Sequence, residues 1–160
     1  MPSSTSPMLD VEDAILVCRN HLDKKDVRGT EIEAYLTRYL LVLICGAYEK
    51  LVRQIVVDRA KRSNDPVLVS FVENTMRNYR SLLISDIKGK LLARLSAKHA
   101  KDFDAMIKNT EGALRYDTII SNRHSTAHGG TVNLTFDELV EAYKKAGSVI
   151  ASLSNVVNSR

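Results

Sequence analysis

Apolar positions recur every three or four residues along most of this chain, and polar or small residues separate the runs. Leu9, Val11, Ile15, Leu16, Val17 and Leu22 predict a first helix over roughly 9–23 with one buried face. The segment "DKKDVRG" then breaks the pattern. Tyr35, Leu36, Tyr39, Leu40, Leu43, Ile44, Ala47, Leu51 and Ile55 continue it, with no proline before Lys61. This predicts a single helix of about thirty residues. Residues 39–48 are apolar nearly all round, which marks this helix as the central one, buried on several sides. Tyr39 and Tyr48 follow the apolar period and are expected in the core. Shorter helices are predicted from Pro66 to near Arg77, over "DIKGKLLARL" and over "AKHAKDFDAMIKN". A further helix carries Ala113, Leu114, Tyr116, Ile119 and Ile120. The last, about 136–157, turns Phe136, Leu139, Val140, Tyr143, Ala146, Val149, Ile150, Leu153 and Val157 inward.

Local signals fix the ends. Thr30 with Glu33 and Thr135 with Glu138 both read as capping boxes. Asp65-Pro66 supplies a side-chain cap followed by a proline that has no N–H to satisfy. Ser96 caps the next piece, Gly89 weakens the helix it sits in, and Gly129-Gly130 supplies a stop. There is no strand alternation and no internal repeat. The expected fold is all-α: a bundle of four main helices plus short extra ones, forming one domain over 9–158. The Ser/Pro-rich residues 1–8 are expected to be a disordered tail.

Composition agrees with this picture. A chain of 160 residues with 44% hydrophobic and 26% charged residues is long enough and apolar enough for a real core. Only 3 Pro and 7 Gly interrupt it, which favours long helices. The formal charge of +4 is compatible with a nucleic-acid partner without requiring one. Cys18 and Cys45 lie in apolar helical patterns without CxxC spacing, and read as buried free thiols. The polar start "MPSSTSPM" does not look like a signal segment, and "LLVLICGAY" is too short to span a bilayer. A cytoplasmic protein without membrane attachment is expected.

Candidate chemistry concentrates in "SNRHSTAHGG", residues 121–130. His124 and His128 are four apart and share a helix face. Arg123 and His128 are five apart, about 140° around an ideal helix, so pairing them needs a locally loosened end before Gly129. A metal site fits poorly, because no Glu follows His124, no third ligand is evident and Arg123 repels a cation. Ser125 and Thr126 lie close by, but sequence cannot assign a nucleophile triad. His21 and His99 stand in polar contexts and are assigned no role. Arginine and histidine without metal suit RNA phosphodiester cleavage. A neutral imidazole takes the 2′-OH proton, and a guanidinium holds the phosphate oxygens.

The R-x4-H spacing of Arg123 and His128 resembles the motif of the HEPN superfamily, small α-helical domains found in toxins, RNases and antiviral defence systems. "LVLICGAYEKLVRQIV" (41–56) is similar to the first long helix of its RiboL-PSP-HEPN branch: an apolar run, a small residue, an aromatic, then Glu. The order of elements fits over most of 9–157.

The resemblance implies a metal-independent endoribonuclease without cofactor, giving a 2′,3′-cyclic phosphate and a 5′-hydroxyl. Arg123 and His128 match the motif pair. His124 matches a polar position more often occupied by Asn, so it is either a second proton-transfer group or a helper that positions the phosphate. Glu49 matches an acidic residue that orients the motif; a solvated or salt-bridged helix residue is the plain alternative. RNA is the implied partner, with a homodimer whose two motifs face one cleft, and an antitoxin or operon-encoded protein as a further partner. A second reading is a non-catalytic HEPN module that binds RNA or protein, and a third is a plain helical interaction protein in which "RHSTAH" is incidental. Lys50, Arg53, Arg59, Lys61 and Arg62 on the long helix can guide a phosphate backbone, although a solvated face accounts for most of them.

Overall fold

A computed structural model describes residues 6–80, 82–127 and 131–159. Among them the architecture is all-α. Four main helices, α1 (Pro7–Lys25), α2 (Glu31–Lys61), α7 (Glu111–Ala127) and α8 (Phe136–Asn158), form the bundle. Shorter pieces join α2 to α7: α3 (Pro66–Met76), α4 (Ile84–Asp86), a π-helix (Ile87–Leu92), α5 (Ala93–Leu95) and α6 (Ala97–Ile107).

Helix α1 begins two residues before the expected start, so Pro7 and Met8 are not tail. Ser6 caps it by accepting the Met8 N–H at 3.4 Å, and Pro7 takes the first helical position. Its buried stripe is Val11, Cys18 and Leu22, with Ile15 beside it. Leu9, Leu16 and Val17, expected on that stripe, are exposed, because they fall on the opposite side of the helical wheel.

Helix α2 is the central helix, packing on α1, α3, α7 and α8. Leu40, Leu41, Ile44, Cys45, Ala47 and Tyr48 are buried. Tyr39, expected in the core, is instead 56% exposed, with Tyr35 and Val42 on the same open row. Neighbouring helices cover only part of the circumference, and an all-round apolar helix must leave some apolar side chains outside. Arg38 lies over the open Tyr35 ring, 5.6 Å from its centroid.

The T-x-x-E signal before α2 works differently from the expected box. Thr30 Oγ1 accepts from Ile32 N–H at 3.2 Å. The Glu33 carboxylate accepts from Gly29 N–H at 2.6 Å and from Phe136 N–H at 3.3 Å. Gly29 is left-handed at φ 73°, which turns its N–H toward the carboxylate. Glu33 thus ties the starts of α2 and α8 together. Thr135 and Glu138, by contrast, form the reciprocal box as expected.

The stretch over "DIKGKLLARL" departs most from expectation. Its middle winds as a π-helix, with Gly89 inside it. Tyr79 Oη donates to the Lys90 carbonyl there at 2.9 Å, giving that carbonyl a side-chain partner.

Helix α8 supplies the bundle's most regular face: every residue predicted to point inward is buried. It packs closely on α7. A Cβ on Gly112 would stand 2.8 Å from the Lys145 carbonyl oxygen, so this crossing admits no side chain. Leu114, expected to continue the buried pattern of α7, is 64% exposed. Its position lies about 160° from the Tyr116 face on an ideal helix. Three tyrosines join α2, α7 and α8. The Tyr48 ring stacks on Tyr116 at 5.3 Å and on Tyr143 at 6.3 Å between centroids. Tyr48 Oη donates to the Tyr143 carbonyl at 3.2 Å. Among the described residues no helix is long and apolar enough to cross a membrane.

Candidate functional site

The last two turns of α7 carry the polar cluster. Arg123 stands seven residues after Tyr116, which returns it to within about 20° of the same face. That face is the inner one, with Gly112, Tyr116, Ile119 and Ile120 buried along it. Arg123 itself is half-buried. Across from it, Cys45 and Glu49 occupy successive turns of α2. Burial pushes the Cys45 thiol up to about 12; the Arg123 guanidinium pulls it down and the Glu49 carboxylate pushes it further up. Both charges therefore bear on one buried thiol. Glu49 acts on Tyr116 too, whose phenol is raised first by burial and then by Cys45, Asp117 and Glu49. Arg123, Cys45, Glu49 and Tyr116 form one electrostatic neighbourhood at the crossing of α2 and α7. Arg123 and Glu49 share one neighbour, the Cys45 thiol.

His128, the second half of R-x4-H, lies outside the described residues, as does the expected Gly129-Gly130 stop.

His124 follows Arg123 in sequence but sits about 100° around the helix. It is half-buried and opens on another feature, a groove of about 430 Å³ that it shares with Asn78, Tyr79, Arg80, Asp86, Lys90 and Arg94. Asp117, two turns earlier on nearly the same side, accepts the Ile84 N–H at 2.8 Å and so docks α4 against α7. Burial raises its carboxyl, the Ile84 N–H lowers it, and Asp86 raises it again.

The remaining polar residues of the cluster serve the backbone. Thr126 Oγ1 donates to the Asn122 carbonyl at 2.8 Å, and Ser125 is exposed. Asn122 Nδ2 donates to the Thr118 carbonyl at 2.9 Å, while its Oδ1 accepts the Asn133 N–H, also at 2.9 Å. This pins the chain before α8 back onto α7, next to the motif. Nothing in the chain's pattern marks Asn122's role beyond its place in the polar run. Cys45 was legible only as a buried thiol, and Arg80, Lys90 and Arg94 carried no signal beyond their charge.

Among the described residues no group of three His, Cys, Asp or Glu gathers as a metal site. A family model described as RiboL-PSP-HEPN matches residues 9–159. No curated protein and no solved structure matches the chain.

Proposed function

Because the chain belongs to the RiboL-PSP-HEPN family, whose HEPN-type domains are RNases or RNA-binding modules, we propose that it is a metal-independent endoribonuclease. The observation that carries this reading is the placement of Arg123. Arg123 is a half-buried cation on the inner face of α7, close enough to α2 to act on the Cys45 thiol, and Glu49 acts on the same thiol. Preorganised charge of this kind stabilises the negative charge that grows on the phosphate oxygens in the transition state.

In this reaction His128 accepts the proton of the ribose 2′-OH. The 2′-oxygen attacks phosphorus, the bond to the 5′-oxygen breaks, and a 2′,3′-cyclic phosphate forms. The departing 5′-oxygen takes a proton and leaves as a hydroxyl. Arg123 holds the non-bridging oxygens, and Glu49 is a positioning residue for the arginine. One imidazole cannot be base and acid at once, so the acid is His128 of the partner subunit in a two-fold dimer. The open row on α2 supports this assembly. Tyr35, Tyr39 and Val42 are 62%, 56% and 55% exposed, and Glu49 falls on the same row two turns beyond Val42. His124, turned away from Arg123, suits the role of phosphate helper better than that of second acid. A toxin or defence effector, held by an antitoxin or operon-encoded partner protein, belongs to the same reading.

The test is cleavage of a labelled RNA in EDTA by the wild type and by His128→Ala, with circular dichroism on both. Wild-type cleavage and a folded, inactive variant are expected, the loss being about 10²-fold or more. Full activity in the folded variant overturns the assignment. An inactive wild type that still binds RNA makes the domain a binding module.

A further inference from the structure

Two polar grooves are lined with cations, one by the turn of α2 that follows Glu49 and the other by His124 beside Arg123. The first lies between α2 and α3. Lys50, Arg53, Lys61 and Arg77 line it, together with Asp58 and Glu73, in a volume of about 420 Å³. Arg53 stands one turn beyond Glu49. Its Nε is buried and has no hydrogen-bond partner among the described residues. A buried guanidinium N–H without an acceptor is costly, and a phosphate oxygen entering the groove would satisfy it.

The second groove is the one that His124 opens on. Arg80, Lys90 and Arg94 line it. Its frame is braced: Tyr79 Oη, donating to the Lys90 carbonyl at 2.9 Å, also accepts from Arg94 Nη1 at 3.1 Å. Lys90 Nζ pairs with Asp86 at 2.7 Å. The π-helix is part of this wall, since it carries both Lys90 groups. Consecutive residues line the two grooves, Arg77 the first and Asn78 the second. On the motif side they start at Arg53, beside Glu49, and at His124, beside Arg123.

We propose that the two grooves form one track for single-stranded RNA flanking the scissile phosphate. Arg53 and Arg77 receive phosphates on one side, and Arg80, Arg94 and His124 on the other. The track rests on the reading of Arg123 and His128 as the cleavage site. Narrow, mostly polar, cation-lined grooves suit a nucleic-acid backbone. Their apolar lining is sparse, Val57 in the first and Tyr79 and Leu82 in the second, whereas a protein interface depends on clustered aromatic and aliphatic anchors.

The probe is a labelled single-stranded RNA with 2′-O-methyl riboses, which can bind but cannot be cut. Its affinity is measured against salt for the wild type, Arg53→Gln/Arg77→Gln, Arg80→Gln/Arg94→Gln, and a remote control, Lys24→Gln/Lys25→Gln. Each groove pair should weaken binding roughly tenfold and flatten the log–log salt slope by roughly 1 to 1.5, while the control stays as wild type. Arg94 braces Tyr79, so if that pair misfolds, Arg80→Gln alone carries the second groove, with a slope change of roughly 0.7. Wild-type affinity and slope in folded groove variants overturn the track. An equal loss in the control, or polyglutamate displacing the RNA at equal charge concentration, does the same. Binding that needs the grooves in a protein that never cuts unmodified RNA sinks the nuclease reading and keeps the track. Cleavage by a protein whose RNA binding ignores the grooves does the reverse.

Discussion

Arg123 and His124 are consecutive residues on opposite kinds of surface. The side of α7 that ends in Arg123 is a packed wall: Gly112 against the α8 backbone, Tyr116 in a stack of three tyrosines, then Ile119 and Ile120. The side that carries Asp117 and His124 meets α4 and an open groove walled in part by the π-helix. A charge at the end of the first side stands beside a dense core that does not rearrange cheaply. A charge on the second side is held by a few hydrogen bonds among half-exposed side chains. The first arrangement suits a group that must not move while a transition state forms, and the second suits one that guides a flexible strand.

Changes on the two sides should differ in kind as well as size. The largest effect belongs to Arg123→Ala, which should lower cleavage about 10²- to 10³-fold while the helical spectrum persists. Cleavage within threefold of wild type would place the phosphate elsewhere. Next comes Gly112→Ala, which drives a methyl toward the Lys145 carbonyl. It should lower stability in urea by about 1–3 kcal/mol. An unchanged midpoint would mean that α7 and α8 slide apart easily, and the contrast between a rigid and a soft side would fail. The smallest effect is expected from His124→Gln: a several-fold rise in KM with kcat little changed, because the residue faces the strand and not the scissile bond. A collapse of kcat with a shifted pH profile would make His124 a proton-transfer group after all.

Legibility in the sequence followed how regular each element's surroundings are. Helix α8 meets the core along one continuous stripe, so its period named nine buried residues correctly and left out only Ala142 and Val156. Helix α2 is apolar nearly all round, and no period could say that Tyr39 and Val42 face out while Tyr48 faces in. Glu33 was visible as a cap for its own helix, yet its carboxylate also serves Phe136, 103 residues away. Arg123 and Glu49 could be proposed as partners only through family resemblance. Cys45, which lies between their fields, had no polar signal to mark it.

Periodicity and capping, which act over three or four residues of chain, specify the helices, most of their ends and the place of the polar cluster. The sequence also held enough of the family pattern to be matched over 9–159. Tertiary structure alone decided that Arg123 turns into the α2 crossing while His124 turns out to a cationic groove. It alone wound residues 87–92 as a π-helix. Those outcomes depend on which neighbour covers which side of a helix, and that choice is made by packing between segments far apart in the chain.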